Sequence, residues 1–211
     1  MLYMYNIIIA MAISVRVKTV LFSVFDSGLN IFLPDHRLPQ GIVVHGISLN
    51  KLAMQVIERV AGRAINESYL EQLYTFSHPF EAGMEADIVY YLLLGADKIN
   101  KDYQDAWIPA DKLSRHLSEN GILTYALQRL RWKVEYTNVV YSLLPREFTL
   151  SELQKIYEAI LGKKLDKRNF RKKILSLGLL RSSGRHRVGL KARPARMYMF
   201  RRRTPVMVNV F

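Results

Sequence analysis

Apolar and polar positions alternate from Val15 to Phe25, a stretch rich in Val and Phe, and this pattern predicts a β-strand. Asp26-Ser27-Gly28 reads as a turn and Leu29 to Leu33 as the returning strand of a hairpin. Pro34 to Gly46, with two prolines and two glycines, reads as a loop. Between Ser48 and Ala61 the period changes. Leu52, Val56 and Val60 recur at helical spacing and Gly62 follows as a stop, so a helix is expected there. Tyr69 to Phe76 and Asp87 to Leu94 return to strand-like composition. Trp107-Ile108-Pro109 reads as a strand end running into a short helix at Asp111-Lys112-Leu113. Strands, one helix, then more strands predict an α+β module over residues 1–120. The apolar run Ile7 to Val15 is too short to span a bilayer, and no Lys or Arg precedes it, so it is expected to open the first strand.

Gly121 to Leu144 repeats apolar residues through Leu123, Leu127, Leu130, Val134 and Tyr141, and predicts one long helix closed by Pro145. It is read as a linker helix (residues 121–144) between two modules with separate cores, partly buried by one of them or by a partner chain. The second module, residues 145–211, opens with Thr149-Leu150-Ser151-Glu152. There Thr149 and Glu152 fit a capping box, and Phe148 and Leu153 fit the accompanying hydrophobic staple. Leu153, Ile156, Tyr157 and Ile160 give this helix one apolar face, and Gly162 stops it. After a short turn Asp166 can cap a second helix, in which Phe170, Ile174 and Leu177 share one face. Arg168, Arg171 and Lys172 occupy the opposite face, flanked by Lys167 and Lys173. A turn-like basic stretch, Arg181 to Arg187, then precedes a strand-like Met197 to Phe200, which together predict a winged helix-turn-helix.

Charge separates the two modules. Residues 1–120 hold 10 Lys/Arg and 13 Asp/Glu, a net of −3, whereas residues 121–211 hold 21 and 5, a net of +16. From Lys163 onward there are 16 basic residues and the single acid Asp166. A solvated amphipathic helix would carry the same face as the Asp166 helix. The capped helix before it and the basic hairpin after it make a polyanionic partner the stronger reading. Arg168 and Asn169 lie in the first turn, where side chains reach base edges in a major groove, with Lys167, Arg171 and Lys172 beside them. Arg185, Arg187, Lys191 and Arg193 fall in the wing and are expected on phosphates of double-stranded DNA. Cysteine is absent, which excludes a disulfide frame, a thiol nucleophile and a zinc finger, and is compatible with the cytoplasm.

Leu144 to Gln154, Tyr157 to Gly162 and Leu165 to Lys173 closely resemble the winged helix of the Nudix-related transcriptional regulators, the NrtR family, and Arg193 to Phe200 resembles that family's wing strand. Ala192 stands where members usually carry Gly, so the wing turn is expected to differ. Tyr69 to Phe76 resembles a strand of the same family and Leu123 to Thr137 its connecting helix. The resemblance implies an α+β fold: a Nudix-like α/β/α sandwich followed by a winged helix-turn-helix. It further implies a homodimeric repressor whose first domain senses an ADP-ribose-like nucleotide or a sugar.

Nudix hydrolases carry Gly, five residues, Glu, seven residues, then Arg-Glu-x-x-Glu-Glu-x-Gly, whose glutamates bind magnesium. Aligned without a gap from Gly41 to Gly62, this chain has Ile47 for the first glutamate, Gln55 for the arginine, and Val56, Arg59 and Val60 for the later glutamates. Magnesium needs hard anionic oxygen ligands, and Ile and Val supply none. The box therefore predicts neither a catalytic residue, a metal site nor a cofactor. Arg59 puts a cation where an acid would stand and can meet a ligand phosphate, and Arg37 and Gln40 border the same loop. His36, His45 and His78 form no ligand spacing. The alternatives are a diphosphate-linked hydrolase with an appended basic domain, tested by turnover of ADP-ribose with magnesium, and an RNA-binding protein, tested by competition between duplex DNA and RNA.

Overall fold

The computed structural model describes residues 12–61, 69–80, 83–113, 119–189 and 192–210. Of the apolar run at the start, residues 7–11 lie outside them. The first strand, β1 (Ala12–Phe25), is the spine of a six-stranded mixed sheet. β2 (Gly28–Phe32) folds back on it through the expected turn, where Asp26 and Ser27 both take positive φ. The stretch 34–46 is not loop throughout. Pro34–His36 forms one 3-10 turn, and β3 (Gln40–Ile42) pairs antiparallel with Arg16–Lys18 of β1. A three-residue strand is too short to show a period, which is why it reads as loop.

α1 (Leu49–Ala61) follows, then β4 (Tyr69–Phe80), β5 (Gly83–Leu93) and β6 (Trp107–Pro109). The sheet order is β4-β5-β1-β2-β6, with β1 and β5 parallel over their paired length from Ala12↔Gly83 to Phe22↔Leu93. Both central strands are covered on both faces. Val17 of β1 and Tyr90 of β5 pack under Leu52, Ala53 and Val56 of α1, and Leu21 and Leu92 under Ile57. The alternate residues Val20, Phe22, Val89, Tyr91 and Leu93 face the other way, into a buried cluster that includes residues of α2 (Asn120–Tyr136). Burial on two faces explains why β1 is so apolar. Gly41 allows the α1 layer to close, because a Cβ there would lie 2.9 Å from Val56 Cγ2 and 3.2 Å from Leu52 Cδ1.

The long helix expected to Leu144 ends at Tyr136. Thr137 is extended (φ −143°, ψ 166°), its hydroxyl donating to the Lys133 carbonyl at 2.6 Å, and residues Val139–Leu143 form a 3-10 segment. The break is made by the chain's end. Residues 204–210 return along α2: Asn138 Nδ2 donates to Thr204 O, Asn138 Oδ1 accepts from Val206 N at 2.7 Å, Thr137 pairs with Met207, and Val208 and Val210 donate to Tyr136 O and Glu135 O. Val139 to Leu144 are buried all the same, so the apolar pattern continues past the point where the helix stops.

The second module comprises β7 (Phe148–Thr149), α3 (Leu150–Leu161), α4 (Lys167–Ser176), β8 (Leu180–Gly189) and β9 (Ala192–Phe200), with sheet order β7-β9-β8. Arg181–Arg187, expected as a turn, lies within β8: Arg181, Ser182, His186 and Arg187 pair with β9, as in Arg181↔Met199 and His186↔Arg196, and the register shifts across Ser183–Arg185, where Gly184 takes φ 78°. Two separate cores are not found. One buried cluster runs from Phe22, Ile31 and Tyr91 through Leu123, Leu130 and Val134 of α2 to Phe148, Leu153 and Phe170. α2 is thus a shared core helix rather than a linker. Among the described residues no helix is long and apolar enough to cross a membrane.

Candidate nucleic-acid interface and effector cleft

The helix pair is set by local chemistry. The Thr149 hydroxyl accepts from Glu152 N at 3.2 Å and the Glu152 carboxylate accepts from Thr149 N at 2.8 Å, the reciprocal box expected from the sequence. Gly162 ends α3 in the left-handed conformation at φ 68°, donating to Glu158 O. Glu158 then pins the turn, accepting from Leu165 N, Gln154 Nε2 and Lys164 Nζ, and those bonds, Leu165 N–H foremost, hold its pKa below the usual carboxylate range. Asp166 caps α4 by accepting from Asn169 N at 2.8 Å. Phe170 and Ile174 are buried, Phe170 edge-on to Tyr157 at 5.5 Å between ring centres. That docking leaves Lys167, Arg168, Asn169, Lys172 and Lys173 exposed on one continuous face.

Arg171 departs from the expected pattern. It is half-buried and turns back to donate to Ser151 Oγ at 3.1 Å, at the start of α3. The wing arginines are engaged as well: Arg185 pairs with Glu147 at 3.2 Å and Arg187 with the capping-box carboxylate of Glu152. Burial pushes the Glu152 pKa up, but the Thr149 N–H and the Arg187 guanidinium outweigh it and hold the group ionised to lower pH. Lys191 lies outside the described residues. Arg193 stands in β9 and its side chain lies outside them too. Arg196 carries no signal of its own in the sequence. It is exposed on β9 across from His186, and only the pairing of β8 with β9 brings it to this face.

The second site is a cleft of about 620 Å³ between α1, β3 and the start of β1. Gln40 and Arg59 line it, as do Ile47 and Gln55 from the degenerate box, whereas Arg37 does not. Val56 is buried against Gly41 instead of facing the cleft, and the Val60 side chain and Gly62 lie outside the described residues. Arg16 lines the cleft although no sequence pattern marked it. Its guanidinium is held by Asp87 at 2.8 Å and Glu85 at 2.7 Å. Beneath it Lys18 is buried between Asp87 at 3.1 Å and Glu119 at 2.9 Å. Burial works to raise the Asp87 pKa, but Arg16 and Lys18 prevail and lower it. The other oxygen of Glu119 accepts from Leu38 N at 2.6 Å, tying the loop before β3 to the head of α2. Glu85 and Asp87 are therefore engaged by cations. Among the described residues no three His, Cys, Asp or Glu side chains cluster to hold a metal ion.

α2 bonds both to the sheet and to α3. Lys133 bonds Glu71 of β4 at 2.8 Å, and Glu71 also accepts from the hydroxyls of Tyr69 and Tyr91. From the same helix Arg131 Nε donates to Ile160 O at the end of α3, at 3.2 Å.

Comparison with known proteins places these features. Residues 140–200 match the family model of the NrtR DNA-binding winged helix domain. The chain is 30% identical over 172 residues to the ADPR responsive transcriptional repressor NtrR of Acinetobacter baylyi, covering 77% of this chain and 68% of that one. The crystal structure of Shewanella oneidensis NrtR superimposes with a TM-score of 0.74 at 26% identity, over 89% of this chain and 94% of that chain. The same protein complexed with a 27mer DNA gives 0.75 at 22% identity, covering 89% of this chain and 93% of that one, and shows the shared fold.

Proposed function

The chain belongs to the NrtR family of transcriptional regulators, and from that premise we propose a DNA-binding repressor whose α1–β3 cleft takes an ADP-ribose-like nucleotide, or a sugar, without hydrolysing it. The observation that carries the DNA reading is α4: a helix capped by Asp166 and docked by Phe170 and Ile174, with Lys167, Arg168, Asn169 and Lys172 left free on its outer face. Such a helix enters a major groove by its first turn. Arg168 suits guanine and Asn169 suits adenine there. The name of the Acinetobacter relative supports ADP-ribose as the effector class. The cleft supports binding over turnover, because Ile47 and Arg59 line it where magnesium-bound acids would be required, and Gln55 stands in place of the arginine of the box. Arg59 and Gln40 suit the phosphates and hydroxyls of such a ligand.

The working division is a Nudix-like sensor to residue 120, a connecting segment 121–144 and a winged helix from residue 145, paired as a homodimer on an inverted repeat. With DNA as partner, the protein works in the cytoplasm. Fluorescence anisotropy of a duplex from the chain's own upstream region, with and without ADP-ribose, tests the reading. Specific binding that ADP-ribose shifts supports it. Binding indifferent to ADP-ribose and to sugars removes the sensor. Chelator-sensitive release of AMP from ADP-ribose with magnesium would make the cleft an active site.

A further inference from the structure

Between the first turn of α3, Arg171 of α4 and β9 lies a cleft of about 230 Å³, lined by Leu150, Ser151, Arg171, Arg196 and Tyr198 among others. We propose that it seats one backbone phosphate of duplex DNA in each protomer, held by the α3 N-terminus, Ser151, Arg171 and Arg196. Its charge comes from three independent elements. α3 is a helix of 12 residues whose capping box uses the N–H groups of Thr149 and Glu152. Those of Leu150 and Ser151 are left to face outward at the positive end of the helix dipole. Arg171 reaches across from α4 to Ser151 Oγ at 3.1 Å, and its Nε is buried without a hydrogen-bond partner among the described residues. Its guanidinium lines the cleft and spends one N–H on Ser151, and a guanidinium has five to offer. Arg196 is exposed and makes no ion pair among the described residues.

The nearest acids do not cancel this field, because Glu147 and Glu152 are already neutralised by Arg185 and Arg187. The location selects a phosphodiester. In a helix-turn-helix the first helix crosses the backbone while the second fills the groove, and Arg171 joins those two helices here. The roles of the arginines also divide. Arg185 and Arg187 brace the wing by their ion pairs, whereas Arg196 and Arg171, which line the cleft, take the phosphate.

This inference rests on the DNA-binding reading, and the test separates the two. Arg196→Ala and Ser151→Asp are compared with the unaltered chain on a labelled duplex of arbitrary sequence at several salt concentrations. Asp in the first turn favours the helix dipole, so Ser151→Asp keeps or raises the melting temperature while filling the seat with a carboxylate. Each variant is expected to weaken duplex binding by about tenfold at moderate salt and to lower the salt slope by about one. A scan of single methylphosphonate substitutions should find one position per half-site that weakens the unaltered chain but not Arg196→Ala. Duplex binding with unchanged affinity and slope in both variants overturns the seat alone. Absence of duplex binding by the unaltered chain overturns the DNA reading and the seat together. If inorganic phosphate raises the melting temperature of the unaltered chain but not of Ser151→Asp, while duplex affinity is equal in both, the cleft is a free-anion site and the proposal falls.

Discussion

The exposed face of α4 and the cleft at α1 both use cations, in opposite ways. On α4 the charges of Lys167, Arg168, Lys172 and Lys173 stand in water, and the helix is held by what lies beneath them. Beneath the cleft, Lys18 and Arg16 are bound by Asp87, Glu85 and Glu119, and the charges themselves hold the structure. Exposed cations keep their hydration until a polyanion replaces it, so they serve binding. Buried cations are tolerable only when paired, so they serve position. Removing a charge should therefore cost folding at one site and recognition at the other.

The sharpest break of this contrast is Asp87→Ala. Asp87 is 1% exposed between two cations, so its loss leaves Lys18 buried beside one fewer acid and should destabilise by about 3–5 kcal/mol in urea titration. The pH dependence has a definite sign. The folded pKa of Asp87 lies below its ordinary 3.8, so its contribution is complete above that value and is lost as pH falls through the lower folded value. Asp87→Asn should flatten the acid limb of the stability curve. An acid limb identical to that of the unaltered chain would show that the pair is not what holds β1 to β5.

The reading face should respond in binding alone. Arg168→Ala or Asn169→Ala should cost about 1–3 kcal/mol on the specific operator and relax sequence preference, with the melting temperature unchanged. Wing variants should instead weaken all duplexes alike. If Arg168→Ala keeps specific binding while a wing variant loses only preference, the two roles are reversed. Arg187→Ala sharpens the same line, because Arg187 bonds Glu152 and its loss should loosen the wing as well as weaken binding.

Thr149→Ala is smaller. It removes one half of the capping box and should lower stability by about 1 kcal/mol, read as a shift in denaturant midpoint at constant slope. Smallest is Arg59→Ala. Its side chain is solvated, so ADP-ribose affinity measured calorimetrically should fall by about 0.5–1 kcal/mol with no change in folding. A loss of stability there would mean that Arg59 packs rather than binds.

What the sequence by itself determined is what local physics decides. The α1, α3 and α4 spans, the Thr149–Glu152 box, the Gly162 stop and the Asp166 cap follow from neighbours within four residues along the chain. So does the exposed basic face, because two buried residues at helical spacing orient the rest. Tertiary structure alone decided where the segment after Tyr136 breaks, because the residue that competes for its end, Met207, lies far along the chain. It alone placed Arg16 in the cleft and removed Arg37, turned 181–187 from loop to strand, and brought Arg196 beside Arg171. The charge split did not mark separate cores: net charge reports what a surface meets, whereas the core that runs through α2 is assembled from apolar side chains on both sides of the split.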